Sequence, residues 1–513
     1  MSARDEKIPE VSSSSPESLS DPESSQSPAS TSEWDAKSTA RLLRKLDWHI
    51  IPFMSLIYLL SFLDRANIGN ARLDNLEGDI SLHGLQYNHA LGILFPFYIA
   101  SEIPSNLMMK RVRPSLWMGF IMVCWSLVMI SQGFVKNYAG LMVTRTLLGV
   151  FEGGLFPGAT YYITSWYCRH EAGFRLALFF SAATLAGAFG GILARGIAEM
   201  RGVGGLPAWS WIFILEGLLT LLVSFAAPWA IYDSTEALVF SSLLSSGQGL
   251  TESNRARFLN EQEKQEVRRR IEADHGKFSQ KFDKKYIFQA FKDWKIYVHC
   301  GINVSALTPL YSFSMFLPTI IRNMGYTANN AQLMSVPPYV VACCFTVVAS
   351  WVGDRYRQRA VIMIFFQLIA LAGLIMLIST TSPGVQYGGT VLAAVGIFPQ
   401  VPLGLAWNSG NLGGSLKRAT GIAMQVMGGN CGGLIAAYVY LAPDGPRFIK
   451  GHGILIGFVA MGMVLCSFMT VWCRRENARR DALGDNTKRE LTEEEVAVEQ
   501  ELADEAPWFR YQV

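Results

Sequence analysis

The chain has 513 residues, of which 50% are hydrophobic and only 17% are charged, and its formal net charge is +3. A positive mean hydropathy over this length indicates a membrane protein and excludes an ordinary soluble globular fold. The small net charge, with no basic patch interleaved with aromatic residues, argues against nucleic-acid binding.

The N-terminal region lacks the composition of a folded domain. Residues 1–39 are rich in Ser, Pro and Glu and predict a disordered cytoplasmic tail. No apolar signal-peptide core is recognisable there, so the first span is expected to act as its own insertion signal. Ala40–Asp47 (ARLLRKLD) carries leucines on one face and basic residues around it, which is typical of an interfacial helix.

Twelve hydrophobic windows follow, each long enough to cross a hydrocarbon core about 30 Å thick. We predict spans at 48–68, 89–109, 115–134, 138–163, 174–196, 209–232, 296–321, 332–352, 360–380, 387–409, 419–441 and 452–473.

The distribution of polar residues predicts how these spans are arranged. A polar interval at 233–293, expected to be a cytoplasmic loop, divides the chain into six-helix bundles at 40–232 and 294–474, followed by a cytoplasmic tail at 475–513. Lys and Arg are concentrated in loops on one side of the membrane, which indicates that both termini are cytoplasmic. The predicted fold is an all-α membrane protein with two six-helix bundles, a layout typical of transporters whose binding site lies between the halves.

The first span places Asp64 and Arg65 side by side in an apolar helix. Either charge costs at least about 2.5–3.5 kcal/mol at the centre of a membrane helix, so such residues indicate a functional site. The alternative is that the pair lies near the end of the helix and is neutralised at the membrane interface.

The second span carries Tyr98 and Glu102 one turn apart. The hydroxyl of Tyr98 is a suitable partner for a carboxylate or an amide, although the ring could equally serve in packing between helices. Glu102 is expected to form a structural hydrogen bond or to act as a gate rather than to contact substrate.

The fourth span contains a second acid and a second arginine. Arg145 and Glu152 are seven residues apart, which is close to two helical turns, so both should project from one face and be able to reach one another through a partner or a short tilt. The surrounding glycines should permit close helix approach. The alternative is that Arg145 only binds backbone carbonyls.

The other spans add mostly neutral polar residues. Thr184 lies among small residues that could line a cavity, and Glu216 is expected to lock a conformation. The second half contributes uncharged candidates for hydrogen bonding and aromatic walls, namely Tyr311, Asn408 and Asn430.

Several strings resemble a known family. The chain resembles the major facilitator superfamily, and within it the fungal allantoate permease branch of the anion:cation symporters, which includes nicotinate-, pantothenate- and biotin-type permeases. The resemblance runs from about Ala40 to Arg480, with one further string at the C-terminus. It is carried by LDRANIGNA, FYIASEIPSN, RTLLGVFEGGLFPG, WIFILEG, GDRYRQR, AWNSGNLGGSLKR and FRYQV.

The resemblance implies a role for each charged candidate. Arg65 matches the arginine that holds the substrate carboxylate, Asp64 and Glu152 match proton-carrying acids, and Arg145 matches the partner that tunes Glu152. Tyr98 falls where substrate contacts occur in related symporters. Further substrate contacts and the cytoplasmic hinge are implied at Thr184, Asn408, Asn430, Gly353, Asp354 and Arg355.

Two features depart from the family pattern. Ser210 stands where the family usually has an arginine between two tryptophans, so one luminal-side anchor is missing. The interval 234–254 resembles an insertion, either a true loop or a retained intron.

Together these features predict a monomeric, proton-coupled importer of a small organic anion, without a cofactor, in the plasma membrane. Protonation of the two acids would free Arg65 to bind a carboxylate. An exporter of an acidic metabolite and a non-transporting nutrient sensor are the alternatives. An enzyme is not expected, because no phosphate loop, nucleophile elbow or metal motif is present.

Overall fold

The computed structural model describes residues 35–232, 258–275, 284–413, 415–482, 503–506 and 509–513. Every regular element in these ranges is helical, and the protein is an all-α membrane protein. The predicted insertion at 234–254 and most of the predicted N-terminal tail lie outside the described residues, as does 483–502 of the C-terminal tail. The residues from Lys45 onward form one compact unit.

The helices before the central interval are numbered in chain order. They are α1 Ala36–Leu73, α2 Leu76–Asp79, α3 Gln86–Gly92, α4 Leu94–Arg111, α5 Pro114–Gln132, α6 Tyr138–Glu152, α7 Leu155–Thr164, α8 Arg169–Ile197 and α9 Ala208–Ala230. We refer to residues 45–232 as the first half.

The central interval contributes two described helices, and the second half, residues 294–482, follows. These helices are α10 Glu261–His275, α11 Lys284–Lys292, α12 Trp294–Asn323, α13 Ala328–Met334, α14 Val336–Tyr356, α15 Arg359–Ser379, α16 Pro383–Ile397, α17 Gln400–Asn411, α18 Ser415–Ala436 and α19 Ile449–Ala482.

Ten helical segments of the described chain are long and apolar enough to cross a membrane, compared with twelve predicted spans. The two other predicted spans are also helical. Span two is divided into α3 and α4, and α4 carries Glu102 and two basic residues at its end. Span eleven is α18, where polar residues and several glycines lower the hydropathy.

The fourth predicted span is broken at Glu152. Helix α6 ends at Glu152, and α7 begins at Leu155 after two glycines. A Cβ atom on Gly149 would collide with the backbone of α4, and one on Gly154 would collide with Ser105. The predicted close approach of helices at these glycines is therefore confirmed.

The two halves contact one another near both ends of the helices. At the end that carries Asp74, Gln332 donates to Asp74 at 3.4 Å and the amide of Asn88 donates to the carbonyl of Ala437 at 2.6 Å. At the opposite end, a Cβ on Gly173 would lie 3.2 Å from Oδ2 of Asp354. The side chains between these contacts are thus enclosed.

Helix α10 packs against the first half through ion pairs. Lys45 on α1 lies 2.7 Å from Glu263, and Arg270 lies 2.5 Å from Glu171 at the start of α8. Because both pairs connect α10 to ends of membrane-spanning helices, the helix serves as a brace on the surface of the first half.

The end of the chain packs against the second half. We call residues 503–506 and 509–513 the C-terminal strap. Asp504 accepts from the ammonium groups of Lys417, at 2.6 Å, and Lys295. Burial alone would raise the pKa of Asp504, but the two lysines outweigh it and hold the pKa below its usual value. The carbonyl of Gln512 accepts from the indole of Trp407 at 2.9 Å.

Candidate functional site

The side chain of Arg65 is the centre of the candidate site. Its Nε donates to Oε1 of Glu152 at 2.7 Å, and its Nη2 donates to the hydroxyl of Ser61 at 3.0 Å. The Ser61 hydroxyl also donates to Oε1 of Glu152. Both members of the ion pair are buried, since Arg65 is 4% exposed and Glu152 is 0% exposed. The pair therefore joins α1 to the break between α6 and α7.

Aromatic side chains lie next to the guanidinium group and next to its hydrogen-bond partner Tyr311. The ring of Tyr98 lies face-on to Arg65, with its centroid 4.8 Å from Cζ. Phe95 meets the ring of Tyr311 edge-on at 4.9 Å, and Phe62 stacks on the same ring at 6.4 Å. Tyr98 thus contributes the face of its ring to Arg65.

A chain of hydrogen bonds carries the site across to the second half. Nη1 of Arg65 donates to the hydroxyl of Tyr311 at 3.2 Å, and that hydroxyl donates to Oδ1 of Asn430 at 3.2 Å. The amide of Asn430 donates to Oε2 of Glu102 at 3.4 Å. Arg65 and Glu102 of the first half are thereby linked through two residues of the second half.

Asp64 faces away from its neighbour Arg65. Successive residues of an α-helix project about 100° apart, so the two side chains reach different helices. Oδ2 of Asp64 accepts from the indole of Trp125 on α5 at 2.9 Å, and Oδ1 has no partner. The expected pairing of Asp64 with Arg65 is corrected, because the carboxylate that Arg65 contacts belongs to Glu152.

Arg145 is buried but does not contact Glu152. Its Nε and Nη2 atoms have no hydrogen-bond partner, and its guanidinium lies 5.9 Å from the centroid of Phe213. Arg145 remains within electrostatic range of Asp64 and Glu152. Arg145 and Glu152 do not meet through a short tilt, because Glu152, at the last position of α6, is turned towards α1.

Glu216 lies in the interior of the first half. Its Oε2 accepts a hydrogen bond from the amide of Asn67 on α1, while Oε1 has no partner. Asp64 is close enough to interact with it electrostatically. The residue expected to lock a conformation therefore belongs to the same buried charged group as the candidate proton carriers.

Two candidate substrate contacts lie apart from the Arg65 network. Asn408 donates to Oε1 of Gln425 at 2.7 Å, inside the second half. Thr184 is buried, and its hydroxyl has no hydrogen-bond partner. The hydrogen bonds of the network thus include neither residue, and a substrate role for them stays a prediction.

The predicted hinge at Gly353, Asp354 and Arg355 contains an ion pair with a different arginine. Nη2 of Arg359 donates to Asp354 at 2.6 Å, and Nη1 donates to Oε1 of Gln512 at 2.8 Å. Arg355 is exposed, whereas Gly353 is buried. The hinge is therefore tied to the C-terminal strap through Arg359 rather than through Arg355.

Sequence reasoning missed Ser61 and Trp125, which hold the two acids in place. Ser61 could have been found, because it precedes Arg65 by one helical turn on the same face. Trp125 could not, since only the tertiary packing of α5 brings it to Asp64. Within the described ranges, no group of His, Cys, Asp or Glu side chains is arranged to hold a metal ion.

A buried ion pair in membrane-spanning helices, hydrogen-bonded from the first half to Tyr311 of the second, is typical of secondary transporters. The Major Facilitator Superfamily model matches residues 54–437. The chain therefore belongs to the major facilitator superfamily, and it is a multi-pass membrane transporter rather than an enzyme.

Individual proteins show the same relationship. An MFS-type transporter of Penicillium expansum, cnsO, is 34% identical over 92% of this chain and 90% of its own length. The high-affinity nicotinic acid transporter of Saccharomyces cerevisiae is 32% identical over 92% of this chain and 84% of its own length. The xylose transporter XylE from E. coli, in a partially occluded inward-open conformation, superposes with a TM-score of 0.60 at 14% identity, covering 82% of this chain and 98% of XylE.

Proposed function

We propose that this transporter imports a small planar monocarboxylate together with protons. The observation that carries the proposal is the buried Arg65, which is held by Glu152 from the first half and by Tyr311 from the second. A cation between the two halves, already paired with an internal carboxylate, is suited to exchange that carboxylate for the one on a substrate.

The exchange couples substrate to protons through the cost of burying charge. If a substrate carboxylate takes the place of Glu152 at Arg65, Glu152 is left buried without a cation. An unpaired buried carboxylate binds a proton rather than remain charged. One anion entering the site therefore brings one proton to Glu152. We assign proton coupling to Glu152 and Asp64, with Arg145 as a nearby cation.

The walls of the site favour a planar substrate. The ring of Tyr98 lies over Arg65, and Phe95 and Phe62 pack on the ring of Tyr311, whose hydroxyl binds Arg65. Flat aromatic acids stack on such rings. A relative named as a nicotinic acid transporter supports the same class of substrate. Within vitamin-like and ureide monocarboxylates, the aromatic surroundings favour nicotinate-like ring acids.

Alternating access gives roles to the contacts between the halves. We assign a gating role to Glu102, because Asn430 connects it to the substrate network. The Asp354–Arg359 pair is assigned to the opposite closure, near Gly173. We further propose a monomer in the plasma membrane, with both termini in the cytoplasm and the proton gradient, rather than a cofactor, as energy source.

Uptake in a yeast host that lacks its own nicotinate permease tests the proposal. We expect saturable uptake of labelled nicotinate that is faster in acidic medium and abolished by a protonophore. Arg65→Lys keeps the charge but removes the guanidinium, whose Nε, Nη1 and Nη2 donate to three different partners, so uptake should be lost. Arg322→Lys, at an exposed position, serves as the matched control. Uptake that is unchanged by the protonophore or by Arg65→Lys would contradict the proposal.

A further inference from the structure

A line of buried polar residues winds along α1 away from the Arg65 site. Ser61, Asp64, Asn67 and Asn70 recur every three residues, and each is at most 4% exposed. Three residues turn an α-helix about 60° short of a full circle, so the line rotates around the helix. It begins at Glu152, beside Ser61, and reaches α9 at Asn67.

The orientation of Asn67 fixes one oxygen of Glu216. Asn70 donates to Oδ1 of Asn67 at 3.0 Å, so the amide nitrogen of Asn67 is turned towards Glu216. That nitrogen donates to Oε2 of Glu216 and leaves Oε1 buried without a partner. The carboxyl group therefore has one oxygen held by a donor and one oxygen free to carry a proton.

Asp64 shows the same arrangement. Trp125 donates to its Oδ2, while Oδ1 is buried and has no partner. Asp64 lies one helical turn from Asn67, whose amide donates to Glu216, so the two carboxyl groups are neighbours. In each of these two neighbouring carboxyl groups, one oxygen accepts a hydrogen bond and the other is free. A single proton can therefore be bound by the free oxygen of either group.

The charges around this pair require such a proton. Arg65 is neutralised by Glu152, so Asp64, Glu216 and Arg145 remain with a formal charge of −1. Burying a net charge in a low-dielectric interior is far more costly than binding a proton. Among the described residues, the cations that interact electrostatically with Asp64 are Arg145 and Arg65, and Arg65 is already paired with Glu152.

We propose that Asp64 and Glu216 share one proton, which makes Glu216 a proton-carrying residue of transport. The shared proton is argued from the net charge of the group and from the free oxygen on each carboxyl group, and its use in transport rests on the proposed function. When a substrate carboxylate displaces Glu152 from Arg65, the O–H bond at Asp64 breaks and an O–H bond at Glu152 forms. The pair, again two carboxylates, then takes up one proton from water. The completed exchange is one anion with one proton and no net charge.

Infrared spectroscopy of the purified full-length protein in lipid tests the shared proton without any substrate. At neutral pH exposed carboxyl groups are ionised, so the carbonyl band of protonated carboxylic acids reports buried ones only. Asp64→Asn and Glu216→Gln should each lose the part of this band that is due to the shared proton. In either variant one acid remains, and it stays ionised because Arg145 balances its charge. Arg145→Gln should gain one protonated carboxyl group. Glu102→Gln identifies any separate component from Glu102.

Each outcome decides the question. A component that persists in Asp64→Asn shows a private proton on Glu216, and one that persists in Glu216→Gln shows a private proton on Asp64; either result overturns the sharing. If Asp64→Asn or Glu216→Gln fails to fold, as judged by thermal unfolding, Asp64→Ser or Glu216→Ser takes its place, because both positions must be tested to distinguish a shared proton from a private one.

A transport assay separates this inference from the proposed function. In proteoliposomes, Glu216→Gln should retain counterflow of labelled nicotinate but lose accumulation driven by a pH gradient. Accumulation equal to that of the wild type would overturn the role of Glu216 in transport. If the wild type itself shows no gradient-driven accumulation, the proposed function fails, while the infrared result on the shared proton stands.

Discussion

Replacing Glu152 by Gln removes the charge that neutralises Arg65 while keeping an oxygen that can accept its hydrogen bond. In the wild-type structure the carboxylate lies 2.7 Å from Nε of Arg65, with both side chains buried. The variant therefore isolates the electrostatic part of the interaction. We expect two opposite effects, namely a less stable empty transporter and a stronger response to an anionic ligand.

The magnitude follows from the contacts that remain. Removing one partner of a buried ion pair costs about 3–5 kcal/mol. Arg65 keeps the hydroxyl groups of Ser61 at 3.0 Å and Tyr311 at 3.2 Å, and the new amide supplies an acceptor. We therefore expect the lower end, about 3 kcal/mol, or roughly a hundredfold in the unfolding equilibrium. A carboxylate ligand at one hundred times its Kd restores about 2.7 kcal/mol.

Thermal unfolding of the purified protein in detergent, with and without nicotinate, measures both effects. The variant should unfold at a lower temperature than the wild type, and nicotinate should raise its Tm by more than it raises that of the wild type. Glu199→Gln is the matched control, because Glu199 forms an exposed pair with Arg195 at 2.5 Å and is 73% exposed. Exposed pairs contribute only about 0.3–0.5 kcal/mol within one helix.

Two results would refute this reasoning. If Glu152→Gln and Glu199→Gln lose the same small amount of stability, the buried pair does not neutralise Arg65 as argued. If nicotinate raises the Tm of the variant and of the wild type equally, the ligand does not compete with Glu152 for the guanidinium.

Three further changes test other parts of the structure. Tyr311→Phe removes a hydrogen bond to a charged group and should lower stability by about 1.5–3 kcal/mol; an unchanged Tm would contradict the link between Arg65 and the second half. Asp504→Asn should destabilise the protein at neutral pH but not in strong acid. The folded-state pKa of Asp504 is lowered, so its carboxylate adds stability at any pH above the usual pKa of about 4. That stability is lost as the pH falls through the lowered pKa. Thermal unfolding across pH checks this, and a constant difference would refute it. Arg359→Gln breaks the pair with Asp354 and the bond to the C-terminal strap, so trypsin should cut the strap faster; equal rates would contradict the connection.

The fold class could be predicted from the sequence because the bilayer imposes strong constraints on composition and segment length. The apolar windows and the family motifs both pointed to the fold that the comparisons confirm. Charged residues in apolar spans are equally visible in the sequence, so Arg65 and Glu152 could be selected as site residues from their positions in the chain alone.

The partners of these charges could not be predicted. Helical spacing places Arg145 and Glu152 near one face of a single continuous helix, but α6 ends at Glu152 and the side chain turns to α1. Asp64 and Arg65 are adjacent in sequence, yet the rotation of α1 sends one to Trp125 and the other to Glu152. Such choices depend on how neighbouring helices are rotated and packed, which periodicity within one helix does not specify.

The contacts of the C-terminal strap have a practical consequence for anyone producing this protein. The backbone of Gln512 is bound by Trp407 and Asn411, and its amide oxygen by Arg359, so the last residues are held close to the ends of several helices. A fluorescent fusion or purification tag joined directly after Val513 would interfere sterically with these contacts of Gln512. Handles placed at the amino end, or separated from Val513 by a long polar spacer, should give better-behaved preparations.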